Sequence, residues 1–201
     1  TEDYAFIMTG TSFFSTSRCT DAMKIAKKLN CDYYRYSMGA NFQDTQCIKS
    51  TERLATLTVW EEPVDDGWYV IGADPAYGSS DWKDRFCIQV FRAYADGMEQ
   101  VCEFATSELN TFQFAWVIAH LAGAYKNSTL NLEVNGPGQA VINEIQNLKR
   151  QAAAMGGGMG KSLMDVLAHM RNYMWRRNDN MSGVSNSIHW MTTCQTKERM
   201  M

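Results

Sequence analysis

Hydrophobic and polar positions alternate most regularly between residues 68 and 106, and the pattern predicts three strands. WYVIGAD (68–74) is a short apolar run with β-branched content that ends on an aspartate. RFCIQVFRAY (85–94) and MEQVCEFAT (98–106) follow, and the Asp96-Gly97 dipeptide between them is a hairpin signal. The three predict an antiparallel meander. The period then changes, with Phe114, Val117, Ile118, Leu121 and Tyr125 forming a helical stripe in TFQFAWVIAHLAGAYK. TLNLEV (129–134) reads as a fourth strand, and PGQAVINEIQNLKR (137–150) as a second helix that starts after Pro137-Gly138. A meander followed by helix, strand and helix predicts an α/β fold on a mixed sheet.

The flanks are less regular. Residues 1–66 read as a lead-in containing one helix, DAMKIAKKL, with Ala22, Ile25, Ala26 and Leu29 on one face. Thr20 or Asp21 would cap it. YYRYSMGANFQ and ERLATLTVWEEP suggest short strands, and the acidic, turn-rich EEPVDDG marks a junction that would divide 1–66 from 67–201. Downstream, QAAAMGGGMG is low in complexity and expected to be mobile. RNYMWRRND and SNSIHWMTT would pair as a hairpin across NMSGVS. GGGMGKSL mimics a phosphate-binding loop, but Met155 stands where that pattern needs glycine and no strand precedes it.

Composition narrows the class. With 201 residues, 45% hydrophobic and 20% charged, the chain can form a core without staples, and it has no apolar run of membrane-spanning length. TEDYAFIMTGTSFF lacks the basic and apolar regions of a signal peptide. Six cysteines without CxxC spacing speak against zinc and a disulfide framework, and predict reduced, mostly buried thiols. The net charge of −3 hides an asymmetry: residues 1–146 carry 11 basic and 19 acidic side chains, and 147–201 carry 8 and 3. An acidic body bears a basic tail.

Two carboxylates stand where packing alone would not put them. Asp74 ends one apolar strand and Glu133 another. Ligands of open α/β sheets bind at the carboxyl ends of strands. Two carboxylates about 4 Å apart repel by about 4 kcal/mol at an effective dielectric of about 20, and a divalent cation offsets that cost. Hard oxygen donors suit Mg²⁺ or Mn²⁺, and two such ions would stabilise both the attacking and the leaving oxygen of a phosphodiester. Taken singly, Asp74 reads as a turn cap and Glu133 as an arginine partner; taken together, they read as a metal pair.

These residues carry a resemblance. GADPAYGSSDWKDRFCIQVFR, followed by LNLEVNGPGQAVINEI, resembles the nuclease domain of the large terminase subunit of tailed bacteriophages. TEDYAFIMTGTSFF resembles that family's link between packaging ATPase and nuclease, and WMTTCQTKERM its TTxxTK stretch. The resemblance implies a ribonuclease-H-like mixed sheet with helices on both faces, and double-stranded DNA cleavage with two Mg²⁺ or Mn²⁺ ions. Asp74 matches the family's first metal-binding aspartate, Glu133 its second acid and Asp84 an auxiliary acid. Asp81 reads as a loop residue. The family's third acid would fall beyond Met201, so 67–201 reads as a C-terminally incomplete nuclease domain whose isolated activity would be weak or absent. An ATPase domain ahead of residue 1, the portal protein and the small terminase subunit are the implied partners. The implied location is the host cytoplasm at the procapsid, with no membrane.

In the basic tail, Lys161, Arg171, Arg176 and Arg177 lie among Tyr173, Trp175 and Trp190, a mixture suited to tracking a nucleic-acid backbone. His120, within the amphipathic helix, reads as structural, and His169 and His189 carry no assigned role. Two other readings remain. One is a DNA- or protein-docking module with vestigial acids. The other is an actin-like phosphotransferase, for which GADPAYGSS would be the first phosphate loop but no second one follows.

Overall fold

Every second side chain of Tyr69–Asp74 is buried up to Ala73: Tyr69, Ile71 and Ala73 lie in the core, while Val70 and Gly72 are half-exposed. That two-residue period is what a strand at the centre of a sheet requires when a helix covers one face. The computed structural model describes residues 15–26, 28–77, 84–134 and 136–155, with strand residues 170–171, 174–175 and 187–190. The chain divides into two units, Thr1–Cys31 and Asp32–Met201.

In the first unit, α1 (Thr16–Ala26) begins earlier than its hydrophobic spacing suggests. Cys19 N–H donates to the Ser15 carbonyl at 3.0 Å. Thr20 therefore lies inside the helix instead of capping it, and its hydroxyl donates to the Thr16 carbonyl at 2.8 Å. No residue of α1 is buried, and Met23 and Ile25 are exposed.

The second unit carries β1 (Asp32–Ser37), β2 (Gln46–Lys49), β3 (Leu57–Val59), β4 (Tyr69–Asp74), β5 (Phe86–Tyr94) and β6 (Gly97–Thr106). Then come α2 (Thr111–Ala124), β7 (Ser128–Glu133), α3 (Gly138–Met155), β8 (Met170–Arg171), β9 (Met174–Trp175) and β10 (Ser187–Trp190). The strands form one sheet in the order β2-β1-β3-β6-β5-β4-β7-β10-β9, with β8 also on β7. β4, β5 and β6 are antiparallel, whereas β7 is parallel to both β4 and β10. This is the ribonuclease-H-like arrangement: a meander whose first strand is flanked by a parallel strand that the chain reaches through a helix. β1 and β3 join the meander through the β1–β3 and β3–β6 pairings.

The loop between β5 and β6 is Ala95-Asp96, because Tyr94 pairs with Gly97, which makes Gly97 the first strand residue and not part of the turn. β6 carries a bulge where pairing shifts from Val90–Cys102 to Phe91–Gln100. Val101 is the extra residue, so Val101 and Cys102 are buried in succession. The bulged carbonyl of Val101 accepts from the N–H groups of Trp60 and Glu61, at 2.8 and 3.2 Å.

All five stripe residues, four in α2 and Tyr125 at its C-cap, are buried. Phe114 packs on Phe86 with ring centroids 4.8 Å apart, and Tyr125 on Tyr69 at 5.0 Å, which seats α2 on the Tyr69–Ile71–Ala73 face. A capping box opens the helix: the Asn110 side chain accepts from Gln113 N–H at 2.9 Å, and the Gln113 side chain accepts from Asn110 N–H at 3.1 Å. α3 packs against α2, and Val141, Ile145 and Leu148 on α3 are buried.

Two further expectations change. β9 and β10 run parallel, with Ser187 opposite Met174 and Ile188 opposite Trp175, and do not form a hairpin. Of the described cysteines only Cys102 is buried; Cys19 on α1 and Cys47 on the edge strand β2 are exposed, and all five described thiols are free. No helix among the described residues is long and apolar enough to cross a membrane. The QAAAM segment continues α3, while 156–160 lie outside the described residues.

Candidate functional site

β4 and β7 lie side by side and parallel, with Gly72 opposite Asn131 and Ala73 opposite Leu132. One residue further on each strand come Asp74 and Glu133. The alternation of strand side chains puts both on the sheet face shared with Gly72 and Asn131, opposite α2. Parallel pairing brings two carboxyl ends together; an antiparallel pair would have left the acids at opposite ends of the sheet.

The two carboxyl groups lie close enough to act on each other through a hydrogen bond and through charge. An ionised carboxylate cannot donate, so a hydrogen bond between the two favours the protonated form of Asp74. Partial burial is the largest influence on Asp74, followed by the hydrogen bond and charge of Glu133 and then the charge of Asp84. Together they push its pKa up to about 6. Much of the Asp74 side chain still meets solvent. Cys87 stands opposite Asp74 on β5, and its thiol is pushed up by burial first and by the Asp74 charge second.

The loops leaving the two strands touch. Pro75 and Ala76 are buried directly after Asp74, whereas Tyr77 is exposed. Beyond Glu133, Gly136 has φ 54°, in the left-handed region, and a β-carbon there would lie 2.6 Å from the Tyr77 phenol oxygen. At Gly138 a β-carbon would collide with the Glu133 carbonyl oxygen and would lie 3.5 Å from Cγ of Pro75. The first turn of α3 therefore rests on the backbone of Glu133, an approach only glycine permits.

Of the residues singled out by sequence, Asp74 and Glu133 are brought together, with Asp84 close enough for its charge to act on Asp74. Among the described residues no group of three or more His, Cys, Asp or Glu is gathered as a metal site. Asp81, Lys161, Arg176, Arg177 and the TTCQTK stretch lie outside the described residues. The backbone of Arg171 pairs with Thr129 on β7. His120 packs edge-on against Phe42 and Tyr36, at 4.9 and 5.9 Å between ring centroids, and burial lowers its pKa. Tyr77, Gly136 and Gly138 escaped the sequence reading, although PAYG after Asp74 and NGPG after Glu133 were visible as matched glycine-containing loops. A separate cavity of about 210 Å³, lined by Tyr36, Phe104, Thr106, Glu108 and Gln113 among others, includes neither acid.

Fold and site together describe a ribonuclease-H-like α/β protein with a close, mutually perturbing carboxyl pair at the ends of its central parallel strands. Among solved structures it is similar to the large terminase nuclease from thermophilic phage G20c, at 15% identity and a TM-score of 0.40, over 69% of this chain and 83% of that one. The likeness is a distant one. No protein-family model and no curated protein matches the sequence.

Proposed function

We propose that this chain is a metal-dependent endonuclease that cuts double-stranded DNA during viral genome packaging, as the nuclease part of a large terminase subunit. The observation that carries the reading is the mutually perturbing pair Asp74–Glu133 at adjacent parallel strand ends. The pair fits Mg²⁺ or Mn²⁺: it is all-oxygen, it faces solvent in part, and the mutual influence that raises the Asp74 pKa is one a cation would offset. Asp74 and Glu133 would hold the ions, with Asp84 as an auxiliary ligand. When bound, divalent cations supply charge neutralisation for the phosphodiester transition state and ease deprotonation of the attacking water.

The chain's own contribution is positioning. β4 and β7 fix the spacing of the two carboxyl groups, and the Pro75–Tyr77 and Gly136–Gly138 loops brace both strand ends. In this reading Lys161, Arg171, Arg176 and Arg177 neutralise backbone phosphates. A preceding ATPase domain, the portal protein and the small terminase subunit are its partners, and it works at the procapsid in the host cytoplasm.

The test is plasmid nicking or linearisation in Mn²⁺. Cleavage by the parent chain and none by Asp74→Ala or Glu133→Ala is expected. Equal cleavage by Asp74→Ala would overturn the assignment of the acids. Duplex binding without cleavage, by the parent and also by a chain extended past Met201, would point instead to a docking module.

A further inference from the structure

We propose that Tyr77 forms a binding subsite for an unpaired nucleobase beside the acid pair, an inference that rests on the nuclease reading and adds a ligand contact to it. Tyr77 stands three residues beyond Asp74, and its ring lies against Gly136, three residues beyond Glu133. It therefore belongs to both loops that leave the acid-bearing strands. A β-carbon at Gly136 would lie 2.6 Å from the phenol oxygen and 3.1 Å from Cζ, so glycine is what lets the ring settle there. Pro75 and Ala76, both buried, tie the loop to the core immediately before it. The ring is thus held from one side, yet 77% of the residue's surface is exposed.

A braced aromatic ring with an open face is suited to stacking, because little side-chain freedom remains to be lost when a ligand arrives. The cations held by the neighbouring carboxyls would draw the phosphate, and an uncharged surface beside them is free to meet the base. Every nucleobase offers a π-face, and stacking on an aromatic side chain is tolerant of sequence. Inside a paired duplex both faces of each base are already covered. The ligand is therefore a base at an end, a nick or a frayed step, one nucleotide's reach from the acids. A single ring offers too little area to hold a protein partner.

The test is binding of the 201-residue chain to fluorescent DNA in Ca²⁺, with a duplex bearing a single-stranded overhang compared against a duplex closed by hairpins at both ends. Tyr77→Ala and Tyr77→Leu should weaken binding to the overhang duplex about tenfold and barely alter binding to the closed one, while Tyr77→Phe and Tyr77→Trp keep it. The slope of affinity against salt should stay unchanged, since no phosphate contact is removed. Mn²⁺ affinity should also be unchanged. Parent-like binding by Tyr77→Leu, which keeps apolar bulk on Gly136 without a π-face, would overturn the subsite. So would loss of Mn²⁺ affinity in step with loss of DNA, which would make Tyr77 a strut for the acid pair. Failure of the parent to bind DNA or Mn²⁺ would instead bring down the nuclease reading, and the subsite with it.

Discussion

Trp116 on α2 donates its indole N–H to the Glu144 carboxylate on α3 at 2.8 Å, and Asn147 donates to the other carboxylate oxygen at 3.2 Å. Glu144 is only 7% exposed. The bond ties together the two helices that follow the meander, and α3 in turn starts on the backbone of Glu133. A polar tie behind the sheet is thus continuous with the acid pair at its edge.

The first consequence concerns stability. Trp116→Phe keeps the ring's bulk but leaves one buried Glu144 oxygen without a donor, at a cost of about 1–3 kcal/mol. Glu144→Gln retains an oxygen to accept from Trp116 and should lose less. Urea denaturation midpoints at constant m-value would decide it; equal loss in the two variants would mean that the bond does not set the packing.

The acid pair should weaken the cation-free fold at neutral pH. Asp74 holds its proton up to about 6 in the folded chain, against an ordinary aspartate value of 3.8. As pH rises from 3.8, the unfolded chain releases that proton first, so the stability it contributes falls through this window and is gone above about 6. Asp74→Asn removes the titration, and its amide can donate to Glu133. The variant should melt higher than the parent in EDTA at pH 7.5 while losing Mn²⁺-dependent cleavage. Melting curves from pH 4 to 8 test the sign; a lower melting point for Asp74→Asn across that range would refute it.

Gly138→Ala should run against ordinary helix propensity. In a helix that accepts it, alanine is favoured over glycine by about 1 kcal/mol. Here the added carbon meets the Glu133 carbonyl, and overpacking of this kind costs about 1–3 kcal/mol. Loss of stability together with weaker Mn²⁺ binding is expected, because Glu133 must shift to make room. Calorimetry with and without Mn²⁺ reads both; a stabilised variant would show that α3 has space to retreat.

The elements were legible in the sequence because their signals are local. The alternation in WYVIGAD and the spacing of Phe114, Val117, Ile118, Leu121 and Tyr125 each report which face a segment buries, and both faces are buried as read. The capping pair Asn110 and Gln113 was equally local and could have been found by its spacing. The β6 bulge could not, since an extra residue shows only against a partner strand.

What the sequence by itself determined was that Asp74 and Glu133 each end a strand. A carboxylate after an apolar run is a statement about one segment and its own period. Only the tertiary structure decided that the two strands are neighbours and parallel, that the carboxyl groups act on each other, and that Tyr77 rests on Gly136. It also decided that β9 and β10 run parallel and that Asp32–Val59 belongs to the sheet. Those facts depend on which strand edges meet, and pairing between distant segments is set by the competition of all edges for partners, which no single window of sequence contains.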